Sequence, residues 1–575
     1  MANRHDQAGR RVRGAAVVFL SLGVVAASLL AAPAAAVVGP SRPVPLVRLP
    51  FPQEDGSLTP YTFELGYPLV TLVYDTLLWR DTSGVPQPWL AQSIDTSADG
   101  RRLTVRLADA RWQDGPPVTA DDVAFTFGYV ASHRHPRFTP ELEAVDHVDA
   151  VDTRTAVISL RHAAPGFRDQ PLADLPILPA HLWRGLGPSQ VAPPGLPVGS
   201  GPYRLVEHTV DTSYRFEAFD GYFRGPPAVR ALDVPIMGDA TKTIAALDRH
   251  DVDMLPVSLP ESAAAGVDRV DTRVLKGPAY AGTVLLFNVR TPPLDRTEVR
   301  QALSRSLDLG RIARAAGRDA VPADRGYVHP ESPWATTDVL HSYQPGEAEA
   351  TLAAAGLNAV KIVVPDNDPI RQAAGREVVL ALAGVHVRAE LTPLSSDALG
   401  RAIGEDGSDP SFQLAIAAEP ALTSYDPDFL RRLFGSPPAD GALNYSGYRS
   451  AAFDDLARRI ASTPDPAARR AAVADALRLL AADAPAVPLF FADGAFAFRP
   501  AVYDGWIFIK GAGIFDKRSF VEPAPATQVA ARPVVPEAPA RPFPFGKAAL
   551  AVFAVVVALA VGAAVSSVRG AARRR

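Results

Sequence analysis

The 575-residue chain contains no cysteine. Disulfides, thiolate metal sites and cysteine nucleophiles are thereby excluded. It also lacks an excess of charge of either sign. Its 58 lysines and arginines stand against 62 acids, for a net charge of −4. No basic, aromatic-laced patch marks the body, so the footprint of a nucleic-acid binder is missing and no nucleic-acid partner is expected. Catalytic signatures are missing too. Neither a Gly-x-Ser-x-Gly elbow nor a His-Glu-x-x-His occurs, which weakens any hydrolase reading. Gly199-Ser200-Gly201-Pro202 has no Lys-Ser/Thr after it, so it fails as a phosphate-binding loop. His133 and His135 flank Arg134 with no third ligand evident, and a solvated loop is expected there rather than a metal site. No cofactor or metal is implied.

What the chain does have is length, enough for two or more domains with sizeable cores, and two apolar ends. Arg4, Arg10, Arg11 and Arg13 precede an apolar run from Ala15 to about Ala32, and Ala34-Ala35-Ala36 supplies small residues for cleavage. Residues 1–36 are therefore expected to be a secretory signal peptide, with an uncleaved amino-terminal anchor as the competing reading. At the other end, Glu522 to Phe545 holds seven prolines in 24 residues. Such a stretch is expected to be a semi-extended linker over 522–546, reaching up to ~70 Å at about 3.1 Å per residue. Ala548 to Val568 follows without a charge. At about 1.5 Å per residue it matches the hydrocarbon layer, so a transmembrane helix is expected over 547–568. Arg569, Arg573, Arg574 and Arg575 place the basic tail, 569–575, in the cytoplasm.

Between these ends the most telling stretch is Val73 to Val130. It holds Tyr74-Asp75-Thr76-Leu77-Leu78-Trp79, Pro88-Trp89-Leu90-Ala91, Asp99-Gly100, and Trp112-Gln113-Asp114-Gly115-Pro116-Pro117-Val118-Thr119-Ala120-Asp121-Asp122-Val123. Leu103, Val105 and Leu107 alternate with Thr104 and Arg106, the period of a half-buried strand, and Asp99-Gly100 before them signals a tight turn. Thr119 sits where an N-cap belongs, with Asp122 three residues on as a capping box. Further strands are expected over Val151–Leu160, Leu232–Ile236, Val284–Asn288, Val360–Val364, Val385–Leu391, Leu414–Ala418 and near Val487–Phe490. Helices are expected at Thr241–Arg249, from Glu298 onward, at Gly346–Gly356, near Arg371–Ala383 and at Arg469–Ala482. Short strands alternating with helices argue for an α/β lobe.

As an ordered set these blocks resemble the peptide/nickel-type (family 5) extracytoplasmic solute-binding proteins of ABC importers. The likeness extends through Gly199-Ser200-Gly201-Pro202-Tyr203, through Phe287-Asn288 … Val299-Arg300-Gln301-Ala302-Leu303, and through Ala484-Pro485-Ala486-Val487-Pro488-Leu489-Phe490. It covers about residues 45–520. The resemblance implies an α/β, bilobed periplasmic-binding-protein-like fold. Lobe I would run over 37–283 with a subdomain at about 76–195, lobe II over 284–489, and 490–521 would return to lobe I. It also implies capture of a small ligand, an oligopeptide or similar, by hinge closure near Val284–Asn288 and Val487–Phe490, with delivery to an ABC permease and its ATPases. No chemistry on the ligand is expected. The missing cysteine removes the lipid anchor common in the family, and the carboxyl-terminal helix would tether the body to the outer face of the membrane instead.

Candidate ligand-binding residues are Tyr280, Thr283 and Asn288 near the hinge, Trp334, and the loop Glu419–Tyr425 with Leu422, Thr423 and Tyr425. In peptide-binding relatives a carboxylate lies four residues before the proline of this loop and pairs with the ligand's amino terminus. Here Thr423 stands at that position, which argues against ordinary free peptides, since a buried ammonium without a partner is costly. Glu419 or Asp426 could substitute, although Asp426 before Pro427 is equally a turn residue. Arg300 either contacts an anionic ligand or holds its helix against a neighbour. Two further classes stay open, a tethered sensor that kept the fold without import and an exported enzyme.

Overall fold

The alternation around Leu103 becomes one strand of a hairpin. In the computed structural model of the chain, Leu103, Val105 and Leu107 are buried while Arg102 and Arg106 face solvent. The structure describes residues 43–522 apart from 64–65, 136, 187–191, 257, 260–263, 265, 318, 406, 419–425 and 437–442, and gives backbone alone at 240 and 279–281. The signal-peptide stretch 1–36, the proline-rich segment beyond Glu522 and the apolar run 547–568 therefore lie outside the described residues. Among those described, no helix is long and apolar enough to cross a membrane.

Gly100, at φ 69°, turns the chain between the strands Ala91–Thr96 and Arg102–Leu107. They extend into a four-stranded antiparallel sheet by pairing with Thr155–Leu160 and then Val145–Asp152. The single strand expected over Val151–Leu160 is thus a hairpin. Asp152 accepts a hydrogen bond from the Arg154 amide at 2.8 Å and folds the chain back on itself, a local Asx turn that alternation alone does not reveal. The helix Ala120–Ser132 begins on the expected capping box. Asp122 Oδ2 accepts from the Thr119 amide at 2.8 Å, and Oδ1 accepts from the Ala180 amide at 2.9 Å. One carboxylate therefore caps the helix and fixes a segment 58 residues away.

A second four-stranded sheet, in the order Val47–Arg48, Ala231–Pro235, Ser213–Ala218, Tyr203–Thr209, packs on a core containing Trp183, Tyr203, Tyr214 and Phe216. Gly199 and Gly201 are required by close approach. A β-carbon at either would lie 1.9 Å from the Val73 carbonyl oxygen or 2.4 Å from that of Leu72. The Gln113 side chain stitches the same loop, donating to the carbonyls of Tyr203 at 2.7 Å and Gly201 at 3.1 Å.

The third sheet has six strands in the order Val321–Pro322, Ala486–Phe498, Arg273–Phe287, Leu414–Ala418, Ala359–Pro365, Arg388–Leu394. Its residues alternate between two cores. Leu285, Phe287, Leu414 and Ile416 face one, with the helices Thr297–Arg305, Leu309–Ala316, Pro345–Ala354 and Pro369–Ala383. Val284, Leu286, Ala415 and Ala417 face the other, with Ser396–Ile403, Phe429–Phe434, Ala451–Ser462 and Pro466–Asp483. Helices on both faces of a mixed sheet make this lobe α/β.

Two strands are longer than expected. Val284–Phe287 is the end of a 15-residue strand, Arg273–Phe287, and Val487–Phe490 lies within a 13-residue strand, Ala486–Phe498. They pair antiparallel, with register shifts between Pro278 and Gly282 and between Thr283 and Val284. Gly277 pairs with Gly494, Pro278 with Asp493 and Gly282 with Phe491, so the pairing continues on both sides of the first shift. Phe496 and Phe498 join the core of the first lobe, whereas Val487, Leu489 and Phe490 join that of the second. The pair is the crossing between the lobes.

The returning chain then seals lobe I with Trp506, Phe508, Ile514, Phe515 and Phe520. Lys517 and Asp75, both with fully buried side chains, meet at 2.7 Å. Asp75 also accepts from Trp89 Nε1 at 2.8 Å and from the Tyr222 hydroxyl at 3.2 Å. The ammonium lies 4.1 Å from the Trp79 ring centroid and 5.1 Å from that of Trp89. Asp516 accepts the Trp79 indole N–H at 3.1 Å. Burial lowers the pKa of Lys517 against the pull of Asp75.

Candidate functional site

Between the lobes lies a cavity of about 380 Å³ walled by both. On the lobe I side, the chain leaves helix Ala120–Ser132 through His135 and Arg137 and makes a one-turn 3-10 helix, Thr139–Leu142, that carries Glu141 to the wall. Behind it, Arg137 holds Asp174 in a two-pronged pair at 2.8 and 2.6 Å, with its guanidinium 4.0 Å from the Tyr67 ring centroid. Burial works to raise the pKa of Asp174, but Arg137 and, beyond it, Arg80 and Arg432 together hold the carboxyl below its ordinary value. Arg80, also buried, lies 3.3 Å from Asp169 and donates to the Ala173 carbonyl at 3.2 Å.

The lobe II wall starts at Asp426. Its backbone amide donates across the cleft to Asp169 Oδ2 at 3.1 Å. Its carboxylate receives both prongs of Arg469, at 2.7 and 2.5 Å. Burial pushes the Asp426 carboxyl up to about 6 against the pull of Arg469. Gly166 admits this contact, because a β-carbon there would lie 2.8 Å from Asp426 Oδ1. Helix Phe429–Phe434 presents Arg431, paired with Asp428 at 2.9 Å, and Arg432, whose Nη1 is 3.9 Å from Glu141 Oε1. Both side chains of that last pair are more than nine-tenths buried. Burial and the nearby Asp174 raise the Glu141 pKa well above the carboxylate range, and burial lowers that of Arg432.

The residues expected to bind ligand are distributed unevenly. Glu419, Leu422, Thr423 and Tyr425 lie outside the described residues, and at Tyr280 only the backbone is described. Thr283 is buried in the crossing strand, opposite Ala418 and Phe490. Asn288 is buried in lobe II, donating to the Phe412 carbonyl at 3.0 Å and accepting from the Arg290 amide at 3.3 Å. Trp334 stands beside the cleft, with the Arg469 guanidinium 4.8 Å from its ring centroid.

Arg300 serves its helix. It donates to the carbonyls of Asp483 at 2.6 Å, Ala484 at 3.0 Å and Leu294 at 2.9 Å, gripping the end of helix Pro466–Asp483. His135 is not in a solvated loop. It is buried, stacks on Phe138 with centroids 4.7 Å apart, and is pushed down to about 4 by burial. Among the described residues, no group of three or more His, Asp or Glu could hold a metal ion. Sequence reading missed Glu141, Asp169, Arg432 and Arg469, because a buried charge carries no local pattern that separates it from a surface one.

The family model for the middle region of bacterial extracellular solute-binding proteins, family 5, matches residues 85–441. The dipeptide-binding protein of Escherichia coli K12 is 27% identical over 416 residues, covering 66% of this chain and 76% of its own. Among solved structures, the ABC transporter substrate-binding protein CtaP of Listeria monocytogenes superposes with a TM-score of 0.72 at 23% identity, over 83% of this chain and 99% of that one. The oligopeptide-binding protein AppA of Bacillus subtilis, solved with a nonapeptide, gives 0.71 at 18% identity over the same shares. At these identities the superpositions establish the fold, and the relatives are binding proteins rather than enzymes. With the match spanning more than half its length and two lobes flanking a charged cleft, the chain belongs to the family 5 extracellular solute-binding proteins.

Proposed function

We propose that the protein is an extracytoplasmic solute receptor, tethered to the cytoplasmic membrane, that captures an oligopeptide or similar small ligand and delivers it to an ABC permease. The observation that carries this reading is the cavity of about 380 Å³ with one wall from each lobe, a size within the range of small-molecule sites. The irregular pairing at Pro278–Gly282 supports hinge closure there, since a strand pair is least constrained where its register breaks. Peptide as the ligand class is favoured by the names of the Escherichia coli and Bacillus subtilis relatives. Tethering rests on the uncharged run 548–568 and the arginines after it. A tether raises the effective concentration of the receptor at its permease, so weak docking suffices.

The test is native mass spectrometry of the purified full chain, followed by small-angle scattering with and without whatever co-purifies. A bound small molecule and a more compact profile on rebinding are expected. Profiles that stay superimposable through a broad peptide library would refute capture by closure. For the tether, protease added outside intact cells should remove the body and spare a tag at the carboxyl end.

A further inference from the structure

Among the described residues of the cavity wall, Glu141 and Arg432 are charged groups with buried hydrogen-bonding atoms left unused, as is the amide nitrogen of Gln170. Neither oxygen of Glu141 receives a hydrogen bond, and neither Nε nor Nη1 of Arg432 finds an acceptor, although all four atoms are buried. At 3.9 Å they are too far apart to hydrogen-bond. The other charged groups nearby are satisfied. Arg137 is spent on Asp174, Arg469 on Asp426 and Arg431 on Asp428. Leaving buried donors and acceptors unused is costly, and both residues line the same cavity.

We propose that Glu141 and Arg432 form a two-sided clamp for a carboxylate of the ligand, so that an acidic group is what draws the lobes together. This rests on the receptor reading above and names its ligand chemistry. A guanidinium offers a planar fork matched to a carboxylate. Glu141 contributes from the opposite wall as the protonated acid, donating its O–H, a state favoured by burial and by Asp174 behind it. In that state the buried set of Arg80, Arg137, Arg432 and Arg469 against Asp169, Asp174 and Asp426 has one cation in excess, and the ligand's anion balances it. Because Glu141 belongs to lobe I and Arg432 to lobe II, neither wall completes the clamp alone.

The experiment uses the purified full chain and a library of two- to five-residue peptides in two matched forms, free acid and carboxyl-terminal amide, with affinity read by calorimetry. Acids that bind are expected to lose about tenfold to a hundredfold in affinity on amidation, the scale of losing charge-assisted hydrogen bonds. Arg432→Gln should show the same loss with the acid and little change with the amide. Arg478→Gln, on the surface outside the cavity and paired with Asp475, should leave both unchanged. If Arg432→Gln fails to fold, Arg432→Lys and the acid–amide ratio of the unaltered chain still decide. Equal binding of acids and amides would overturn the clamp while leaving the receptor reading intact. A library in which neither form binds would overturn the clamp together with peptide as the ligand class.

Discussion

Replacing Lys517 with methionine removes the cation from the buried cluster and keeps most of the stem. Asp75 would remain with the Trp89 indole at 2.8 Å, the Tyr222 hydroxyl at 3.2 Å and the Ser200 hydroxyl at 3.4 Å, but with no cation in contact. Breaking a buried pair from one side costs about 3–5 kcal/mol, because an uncompensated charge is left out of water. The lost contact of the ammonium with the indole rings works in the same direction. Asp75→Asn with Lys517→Met should recover much of the loss, since removing both charges also removes their desolvation penalties. The double variant is expected to fall short of the summed single losses by at least about 1–2 kcal/mol. Urea unfolding is followed by the fluorescence of the six tryptophans, two of which, Trp79 and Trp89, lie against the ammonium. A Lys517→Met variant within about 1 kcal/mol of the parent would refute the reasoning, as would strictly additive single losses.

Gly199→Ala should be severely destabilised, by more than about 3 kcal/mol, since its β-carbon would fall 1.9 Å from a backbone oxygen that cannot swing away. Gly346→Ala, with open space around it, should stay within about 1 kcal/mol of the parent in the same melts. His135 sets an acid limb. Its folded pKa, about 4, lies below the ordinary 6.5, so the unfolded chain binds the extra proton first. Stability should fall as pH drops from 6.5 towards 4, by up to about 3 kcal/mol from this residue. His135→Gln should flatten that limb relative to the parent, and parallel profiles would exclude His135 as its source.

Much of the fold was legible wherever one residue's neighbours along the chain settle its environment. The alternation at Leu103–Leu107, the capping box at Thr119 and Asp122, and the strand Leu414–Ala418 stand where the sequence places them. Reading failed where distant partners override local punctuation. The strand expected over Val284–Asn288 begins at Arg273 instead, because strand Ala486–Phe498 carries the pairing through the irregular stretch at Pro278 and Gly282. His135 looks solvated beside Arg134, yet Phe63 and Phe138 enclose it. The cleft was the least legible part. Glu141 and Arg432 are nearly 300 residues apart and sit in polar stretches, and only the meeting of two lobes makes them neighbours.

The pairing of Asp75 with Lys517 spans 442 positions of the chain, and this constrains how the protein is made. Lobe I is begun by the first segments to leave the ribosome, but its aromatic plug arrives almost last. At about 5–20 residues per second, some 20–90 seconds separate the two. Asp75 can meet Trp89, Ser200 and Tyr222 well before then, but throughout that interval it lacks Lys517 and Trp79 lacks Asp516, while lobe II can mature on its own contacts. The nascent amino-terminal half therefore exposes greasy surface for as long as synthesis lasts, a natural target for holdase chaperones.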